Sequence, residues 1–315
     1  MSTAFIFPGQ GSQTIGMGRD LAEHYAIAKE VFDEVDDALS FNLTDLMFSG
    51  DSAELMQTEN AQPAIMAVSM AVVRVLEHET GKKIPEMVSC VAGHSLGEYS
   101  ALCAAGALSI ADTARLLRVR GLAMKEASMQ NPGAMAAVLG LTMKEVSQLA
   151  SEVSKENSIC RIANDNCPGQ IVISGHTDAI ERAVTRAVEL GARKAVKLPV
   201  SGAFHCPLMK PAEEKMRDVL QNTPISQPLV PVVANITAEF VHDPQKIKEL
   251  LVAQITGSVR WTESVQYMSS KGISDFVECG NGKVLSGLIK RINPDSRSIS
   301  VGTAEGIAQG LAFFA

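Results

Sequence analysis

A serine between two glycines is the first candidate for chemistry in this sequence. Residues 93–97 read Gly-His-Ser-Leu-Gly, and the apolar segment 87–92 comes directly before them. An apolar strand, this pentapeptide and a following helix predict a nucleophile elbow, a sharp turn that exposes the Oγ of Ser95. The N–H of Leu96, at the start of that helix, is then a natural donor to an oxyanion. The alternative is a glycine-flanked helix start at which the serine acts as a cap.

A serine nucleophile needs a base, and histidine is the side chain whose ordinary pKa, about 6.5, lies near working pH. His205 follows the carboxyl end of a predicted strand, which is where sites collect in open α/β sheets. His94 adjoins Ser95 and is expected to point away from it, as a structural residue. The remaining histidines lie in polar or loop segments, at positions 24, 78, 176 and 242. The sequence therefore predicts His205 as the base, with a helix-capping role as the alternative.

Two polar side chains fall on helix faces that should be apolar. Arg120 lies in the middle of the apolar stripe of a helix predicted over 111–127, and Gln254 continues the apolar face of a helix beginning at Pro244. A guanidinium there must reach solvent, pair with a carboxylate or bind an anion, so structural pairing and binding of a substrate carboxylate are both open. Gln254 either orients His205 or is a core amide with internal partners.

The elements that would position these residues alternate between strands and helices. Apolar runs predict strands at residues 4–7, 87–92, 230–234, 274–277 and 299–301. Helical patterns separate them, and one helix is expected to begin near Asn60, with Pro63 in its first turn, and to end near Thr80. This alternation favours an α/β fold, with a mostly parallel sheet and helices on both faces.

The middle of the chain follows a different order. Its pattern predicts the β-α-β-β-α-β order of a ferredoxin-like subdomain, with elements at 134–139, 143–153, 160–163, 170–174, 178–190 and 195–200. We therefore predict a catalytic core formed by residues 1–128 and 201–315, interrupted by a subdomain at 129–200.

Composition argues against several classes of protein. The 315 residues are 46% hydrophobic and 20% charged, which favours a packed fold over disorder. The net charge is −7 and only 4% of residues are aromatic, so no nucleic-acid partner is expected. The six cysteines form no C-x-x-C pair, which suggests reduced thiols and no zinc site. No signal peptide and no membrane-spanning run is evident, so we expect a cytoplasmic location.

Seven motifs, taken together, resemble the malonyl-CoA:acyl-carrier-protein transacylases. In chain order they are Phe-Pro-Gly-Gln-Gly-Ser-Gln at 7–13, Gln-Pro-Ala at 62–64, Gly-His-Ser-Leu-Gly-Glu-Tyr-Ser-Ala at 93–101, Arg-Gly at 120–121, Ile-Ala-Asn-Asp-Asn at 162–166, Phe-His at 204–205 and Gly-Lys-Val-Leu at 282–285. The match extends over nearly the whole chain and is far more specific than the serine pentapeptide alone. The resemblance implies an α/β-hydrolase-like core that carries a ferredoxin-like subdomain.

The resemblance also implies a role for each site residue. Ser95 would accept the acyl group, His205 would be its base, and the carbonyl of Gln254 would orient that histidine. The N–H groups of Gln10 and Leu96 would form the oxyanion hole. The substrate contacts would be Arg120 on the malonyl carboxylate, together with Gln62, Phe204 and Asn164 in the pocket.

The implied reaction moves a malonyl group from malonyl-CoA to the phosphopantetheine thiol of acyl carrier protein, for type II fatty-acid synthesis. It passes through a malonyl ester of Ser95 and uses no metal or cofactor. A serine acyl hydrolase and a non-catalytic carrier-binding subunit are the alternatives. A hydrolase would place an acid between Ser95 and His205 in the chain, where Asp165 and Asp178 are candidates. Asn281 stands where proline is usual in the family, which affects only the expected shape of that loop.

Overall fold

The computed structural model describes residues 2–200 and 202–314. In these ranges the strands are β1 (Thr3–Phe7), β2 (Cys90–Gly93), β3 (Ala134–Leu139), β4 (Cys160–Cys167), β5 (Gln170–Gly175), β6 (Lys194–Lys197), β7 (Val232–Val233), β8 (Phe240–Val241), β9 (Val259–Arg260), β10 (Asp275–Cys279) and β11 (Arg297–Val301). The helices are α1 (Arg19–His24), α2 (Ala26–Leu39), α3 (Leu43–Ser49), α4 (Ser52–Leu55), α5 (Thr58–Thr80), α6 (Ile84–Met87), α7 (Gly97–Ala104), α8 (Ile110–Gln130), α9 (Met143–Val153), α10 (Thr177–Glu189), α11 (Lys210–Gln221), α12 (Pro244–Gln254), α13 (Trp261–Ser270), α14 (Val284–Ile292) and α15 (Ala304–Phe314), with a short 3₁₀ helix at Pro207–Met209.

Strand β1 lies inside a sheet whose order, among the described residues, is β11-β10-β1-β2-β7-β8. Its neighbours pair in parallel, and only β8 runs antiparallel, as a hairpin with β7. Phe5 and Phe7 pack into one buried cluster, whereas Ala4 and Ile6 pack into another. A strand buried on both faces is typical of a sheet covered by helices on both sides, so the predicted α/β class is confirmed.

A second sheet, in the order β6-β3-β5-β4-β9, is formed mainly by the middle of the chain. Strands β6, β3, β5 and β4 pair antiparallel, and the chain passes through them in the order β3-α9-β4-β5-α10-β6, as the sequence predicts. Strand β9, which lies much later in the chain, adds to this sheet in parallel with β4. The N–H of Arg260 on β9 also donates to the carbonyl oxygen of Asn235, just after β7, so β9 joins the two sheets there.

Helix α5 differs from the prediction at its start. It begins at Thr58, so Pro63 lies inside the helix instead of in its first turn. Proline cannot donate to the carbonyl four residues earlier, and here that carbonyl belongs to Glu59. The carbonyl accepts a hydrogen bond from the guanidinium of Arg118 on α8 instead, at 3.2 Å. A side chain from a neighbouring helix thereby satisfies the gap that Pro63 leaves.

Other boundaries also differ from the predictions. The apolar run 87–92 is divided between helix α6 and strand β2, and the strand predicted at 195–200 ends at Lys197. The two-residue strands β8 and β9 were not predicted, because they are too short to show a period. The predicted domain boundary at residue 201 lies outside the described residues. No helix in the described ranges is both long enough and apolar enough to cross a membrane.

Candidate active site

The turn between β2 and α7 places Ser95 at a strained point of the backbone. Ser95 has φ 53°, in the left-handed region that non-glycine residues rarely adopt. The flanking glycines allow this turn, since a Cβ at Gly93 would lie 1.9 Å from the carbonyl oxygen of Gly97. A Cβ at Gly97 would in turn lie 2.3 Å from the carbonyl oxygen of Phe7 on β1. The elbow predicted from the pentapeptide is therefore present, and its glycines are required by close packing.

His205 contacts the nucleophile directly. Its Nε2 lies 2.8 Å from Ser95 Oγ, while its Nδ1 lies 2.9 Å from the carbonyl oxygen of Gln254 and 3.1 Å from that of Gly257. Carbonyl oxygens only accept hydrogen bonds, so Nδ1 carries the proton and Nε2 can accept one from Ser95. Two backbone carbonyls thus stand where a carboxylate stands in a Ser-His-Asp triad.

The surroundings of His205 disfavour its protonated form. Burial, followed by the positive charge of Arg120, lowers the pKa of His205 to about 3. The carbonyls of Gln254 and Gly257 oppose that shift only in part. The His205 side chain therefore stays neutral well below the pH at which an unperturbed histidine gains a proton.

Arg120 lies behind the nucleophile and is 1% exposed. Its Nη1 donates to Gln62 Oε1 at 2.6 Å, and its Nη2 donates to Gln254 Oε1 at 2.9 Å and to Ser95 Oγ at 3.1 Å. Its Nε finds no hydrogen-bond partner within the described part of the chain, and none of the ion pairs there includes it. A buried guanidinium held by neutral amides, with one donor unused, has an incomplete set of partners.

The side chain of Gln254 joins Arg120 to a buried carboxylate. Its Nε2 lies 2.7 Å from Glu98 Oε2 and 3.0 Å from the carbonyl oxygen of Ser95. The same Glu98 oxygen accepts from the N–H of Asn235 at 3.1 Å. Burial raises the pKa of Glu98 to about 7, against the opposing hydrogen bonds and the charge of Arg120. Both alternatives for Gln254 are therefore realised, since its carbonyl contacts His205 and its side chain is a satisfied core amide.

Two backbone N–H groups remain available near the nucleophile. The turn after β1 packs against the elbow so tightly that a Cβ at Gly9 would lie 2.7 Å from the carbonyl oxygen of His94. This contact brings Gln10 to the cavity that Ser95 also lines. Within the described residues, neither Gln10 N–H nor Leu96 N–H donates to a protein acceptor. Both are thus free to receive a negative oxygen, as the resemblance implies.

A cavity of about 720 Å³ opens onto these groups. Among the predicted site residues, its lining includes Gln10, Ser95, Arg120, Asn164, Phe204 and His205. Gln62 does not line it, but lies buried behind Arg120 and holds the guanidinium. Asn164 reaches the cavity from β4 and Val172 from β5, so the cavity lies between the two sheets.

The competing candidates have other partners. Nε2 of His94 lies 2.8 Å from Asn166 Oδ1, and the His94 ring packs beside Trp261. Asp165 accepts from Thr262 Oγ1 at 2.7 Å, so it does not act as the partner of His205. Asp178, the second acid considered, is bound by the side chains of Ser158 and Arg182 in the region of the second sheet. The acid order expected of a hydrolase is therefore not formed.

Sequence reasoning missed Glu98 and Asn235. Asn235 Oδ1 accepts from the N–H of Ser95 at 2.7 Å, and its Nδ2 donates to the carbonyl oxygen of Gly93 at 2.7 Å. Asn235 follows strand β7, and a polar residue at a strand's carboxyl end is a signal that could have found it. Glu98 lies in the motif at 93–101, and an acidic residue so close to the serine turn was the feature that could have marked it as a buried charge.

A serine in contact with a histidine, backbone carbonyls that orient that histidine and free N–H donors are the groups that acyl transfer through a serine ester requires. Comparison with known proteins agrees with that class. The family model of the acyl transferase domain matches residues 4–291, and the chain belongs to this family.

Within the family, the chain is similar to proteins that handle malonyl groups. The malonyl CoA-acyl carrier protein transacylase of Bacillus subtilis (strain 168) is 46% identical over 304 residues, which cover 96% of this chain and 94% of that protein. The crystal structure of acyl-carrier-protein-S-malonyltransferase from Bartonella henselae is 51% identical, with a TM-score of 0.96 over 100% of this chain and 99% of its own. A malonyl-transacylase solved in complex with its type II PKS acyl-carrier protein is 38% identical, with a TM-score of 0.95 over 99% and 100% of the two chains.

Proposed function

We propose that this protein transfers a malonyl group from malonyl-CoA to the phosphopantetheine thiol of acyl carrier protein, a step that supplies type II fatty-acid synthesis. The observation that carries this proposal is the position of Arg120. Its buried guanidinium has an unused Nε donor and lies 3.1 Å from the nucleophilic oxygen of Ser95. An acyl group attached to Ser95 therefore ends beside a cation that lacks a carboxylate, and malonyl supplies one.

In the first half-reaction, Ser95 Oγ attacks the thioester carbonyl while His205 Nε2 takes the serine proton. The carbonyl oxygen becomes negative and is held by the N–H groups of Gln10 and Leu96. When the C–S bond breaks, the CoA sulfur leaves and receives the proton from His205. The product is a malonyl ester of Ser95, and the site itself has gained no net proton from this exchange.

The malonyl carboxylate also assists the base. The charge of Arg120 is the second largest cause of the lowered pKa of His205. A carboxylate bound to that guanidinium cancels much of its charge at the histidine, so the pKa of His205 rises when malonyl-CoA occupies the site. Acetyl-CoA has no carboxylate and leaves the base at its lowered pKa. Arg120 therefore favours malonyl both in binding and in proton transfer.

In the second half-reaction, the phosphopantetheine thiol of the carrier gives its proton to His205 and its sulfur attacks the ester carbonyl. The new C–S bond replaces the C–O bond to Ser95, whose Oγ takes the proton back from His205. Asn164, on β4, and Phe204, next to His205, line the cavity, and we assign to them contacts with the acyl group and the pantetheine arm. The chain supplies the nucleophile, the base and the oxyanion donors, so the proposed reaction requires no metal or cofactor.

The proposal extends to the organisation of the fold. We infer that residues 1–128 and 201–315 form an α/β-hydrolase-like core and that 129–200 form a ferredoxin-like subdomain. The antiparallel order β6-β3-β5-β4 and the helices α9 and α10 support the second assignment. The parallel sheet and the elbow after β2 support the first. The cytoplasmic location stays a prediction.

The experiment is intact-mass analysis in two steps. Mixed with malonyl-CoA, the protein should gain one malonyl group, and subsequent addition of holo acyl carrier protein should move that mass to the carrier. Ser95→Ala is the matched control, since it removes a single oxygen and should abolish the adduct while the protein stays folded. Loss of the adduct to water at the rate at which the carrier removes it would favour a hydrolase. Full acylation of Ser95→Ala would refute the nucleophile.

A further inference from the structure

Helix α7, directly behind the nucleophile, carries one acidic side chain in a fully buried setting. All eight residues of α7 are buried, and Glu98 is 3% exposed. Neither Glu98 nor Arg120 belongs to an ion pair within the described residues. A buried carboxylate without a direct cation is costly, so its retention beside the nucleophile calls for an explanation.

One amide group separates the two buried charges. Gln254 Oε1 accepts from Arg120 at 2.9 Å, and Gln254 Nε2 donates to Glu98 at 2.7 Å. The amide is oriented so that its negative end faces the cation and its positive end faces the carboxylate. This orientation stabilises both charges and fixes the side chain of Gln254, whose own carbonyl orients His205.

We propose that Glu98 is the counter-charge of Arg120 in the empty site and takes up one proton from solvent when a malonyl carboxylate binds Arg120. Glu98 is then a positioning residue that adjusts the charge of the site to the acyl group. The inference rests on the proposed function, because it requires a malonyl ester at Ser95.

The groups around Glu98 support this assignment. Burial raises the pKa of Glu98 to about 7, against the hydrogen bonds from Asn235 and Gln254. Arg120, on α8, is the charged group that also lowers this pKa. Tyr99, the next residue, has its pKa raised to about 12 by burial and stays neutral. His205 and His94 line the cavity of the same site, and burial lowers the pKa of both, so neither supplies a positive charge. Arg120 is therefore the cation that faces the ionised form of Glu98, through the amide of Gln254.

A bound malonyl carboxylate favours the protonated form of Glu98. It pairs with Arg120 and adds a second negative charge near Glu98, and both effects raise the pKa of this glutamate further. With a pKa of about 7 in the empty site, about three quarters of Glu98 is ionised at pH 7.5. Proton uptake at that pH is thus limited to about three quarters of a proton per malonyl ester. An acetyl ester should cause none.

The experiment measures protons and ester together. Purified enzyme and malonyl-CoA or acetyl-CoA are mixed at pH 7.5 in weak buffer with an indicator dye, and intact mass gives the amount of ester formed. Any proton change caused by release of CoA is the same with both substrates. The difference between them in protons taken up per ester therefore reports the titration of groups in the site. Glu98→Gln keeps an acceptor for Gln254 and Asn235 but removes the titration. Glu278→Gln is the matched control, because Glu278 is also a buried carboxyl with a raised pKa but binds the N–H groups of Leu285 and Ser286 on α14.

With malonyl-CoA, we expect proton uptake in wild type and in Glu278→Gln but not in Glu98→Gln. With acetyl-CoA, we expect no proton uptake. In addition, the malonyl-to-acetyl ratio of kcat/KM should fall as pH rises above 7 in wild type, by up to tenfold per pH unit, and stay flat in Glu98→Gln. If Glu98 had only a structural role, Glu98→Gln would lower kcat/KM for both substrates and leave the pH dependence of their ratio as in wild type. If wild type forms the full malonyl ester but takes up no more protons than with acetyl-CoA, the inference is overturned and the proposed function stands. If no malonyl ester forms, the proposed function is overturned as well.

Discussion

The active site consists of two halves that are built differently. The nucleophile half contains Ser95 and His205, and backbone groups supply its chemistry: two carbonyls bind His205 Nδ1, and two N–H groups near Ser95 are free to bind an oxyanion. Both residues have a positive φ. The carboxylate half contains Arg120, Gln254 and Glu98, which side chains hold in a buried network.

This difference separates reactivity from selectivity. Backbone carbonyls and N–H groups do not distinguish one acyl group from another, so the nucleophile half should act on any thioester that reaches it. Buried side-chain charges respond to a charge on the substrate, so the carboxylate half should decide which acyl group reacts well. The comparison predicts which variants lose all acylation and which lose only malonyl transfer.

The largest effect in this set is expected in the nucleophile half. His205→Ala removes the group that takes the serine proton, and loss of a general base typically costs about 10²–10⁴-fold. Acylation should fall by a similar factor for malonyl-CoA and acetyl-CoA, as measured by single-turnover kinetics.

His94→Ala is the control for that variant, because His94 adjoins the nucleophile but contacts Asn166 and Trp261. It should lower the free energy of unfolding by about 1–3 kcal/mol, with a smaller loss of rate. A larger loss of rate in His94→Ala than in His205→Ala would assign the base to the other histidine.

The next effect belongs to the carboxylate half. Deleting one partner of a buried ion pair costs about 3–5 kcal/mol, so Arg120→Ala should lower kcat/KM for malonyl-CoA by roughly two to almost four decades. The kcat/KM for acetyl-CoA should fall only slightly or should rise, because removal of the cation also raises the pKa of His205. Arg120→Lys keeps the charge but not the planar fork, and should restore only part of the malonyl rate.

The smallest effect is on the pH profile. A base with the ordinary histidine pKa would lose roughly 25-fold in its neutral form between pH 7 and pH 5. Burial and Arg120 lower the pKa of His205 to about 3, so its active neutral form is lost only as pH falls toward that value. We expect kcat/KM for acetyl-CoA to decline far less than 25-fold over this range, with circular dichroism confirming the fold at pH 5. A roughly 25-fold fall in kcat/KM at acid pH, with its midpoint near pH 6.5, would contradict the lowered pKa of His205.

The sequence predicted the two halves unequally. The elbow is local, because Gly93, Ser95 and Gly97 lie within five residues and packing forces their types, so the motif was sufficient. Arg120 and Gln254 were found because each interrupts the period of a helix with one apolar face. Their mutual contact was not predicted, since it joins α8 to α12 across 134 residues.

Glu98 could not be found by periodicity, because α7 is buried on every side and has no polar face to define a stripe. The position of Asn235 after β7 was a usable signal, but its contact with the N–H of Ser95 joins residues 140 apart in the chain and could not be predicted. The parallel pairing of β9 with β4, just after Gly257, could not be predicted either. These features arise from tertiary packing, which overrides local pattern.

The most direct test compares His205→Ala and Arg120→Ala by one quantity, the ratio of malonyl-CoA to acetyl-CoA kcat/KM. If the two halves act separately, His205→Ala should be slow with both substrates and keep a ratio within about one decade of wild type, because loss of the base affects both acyl groups. Arg120→Ala should lower the ratio by at least two decades while acetyl transfer persists. An unchanged ratio in Arg120→Ala, with both rates reduced equally, would show that Arg120 is structural and that selectivity for malonyl lies elsewhere.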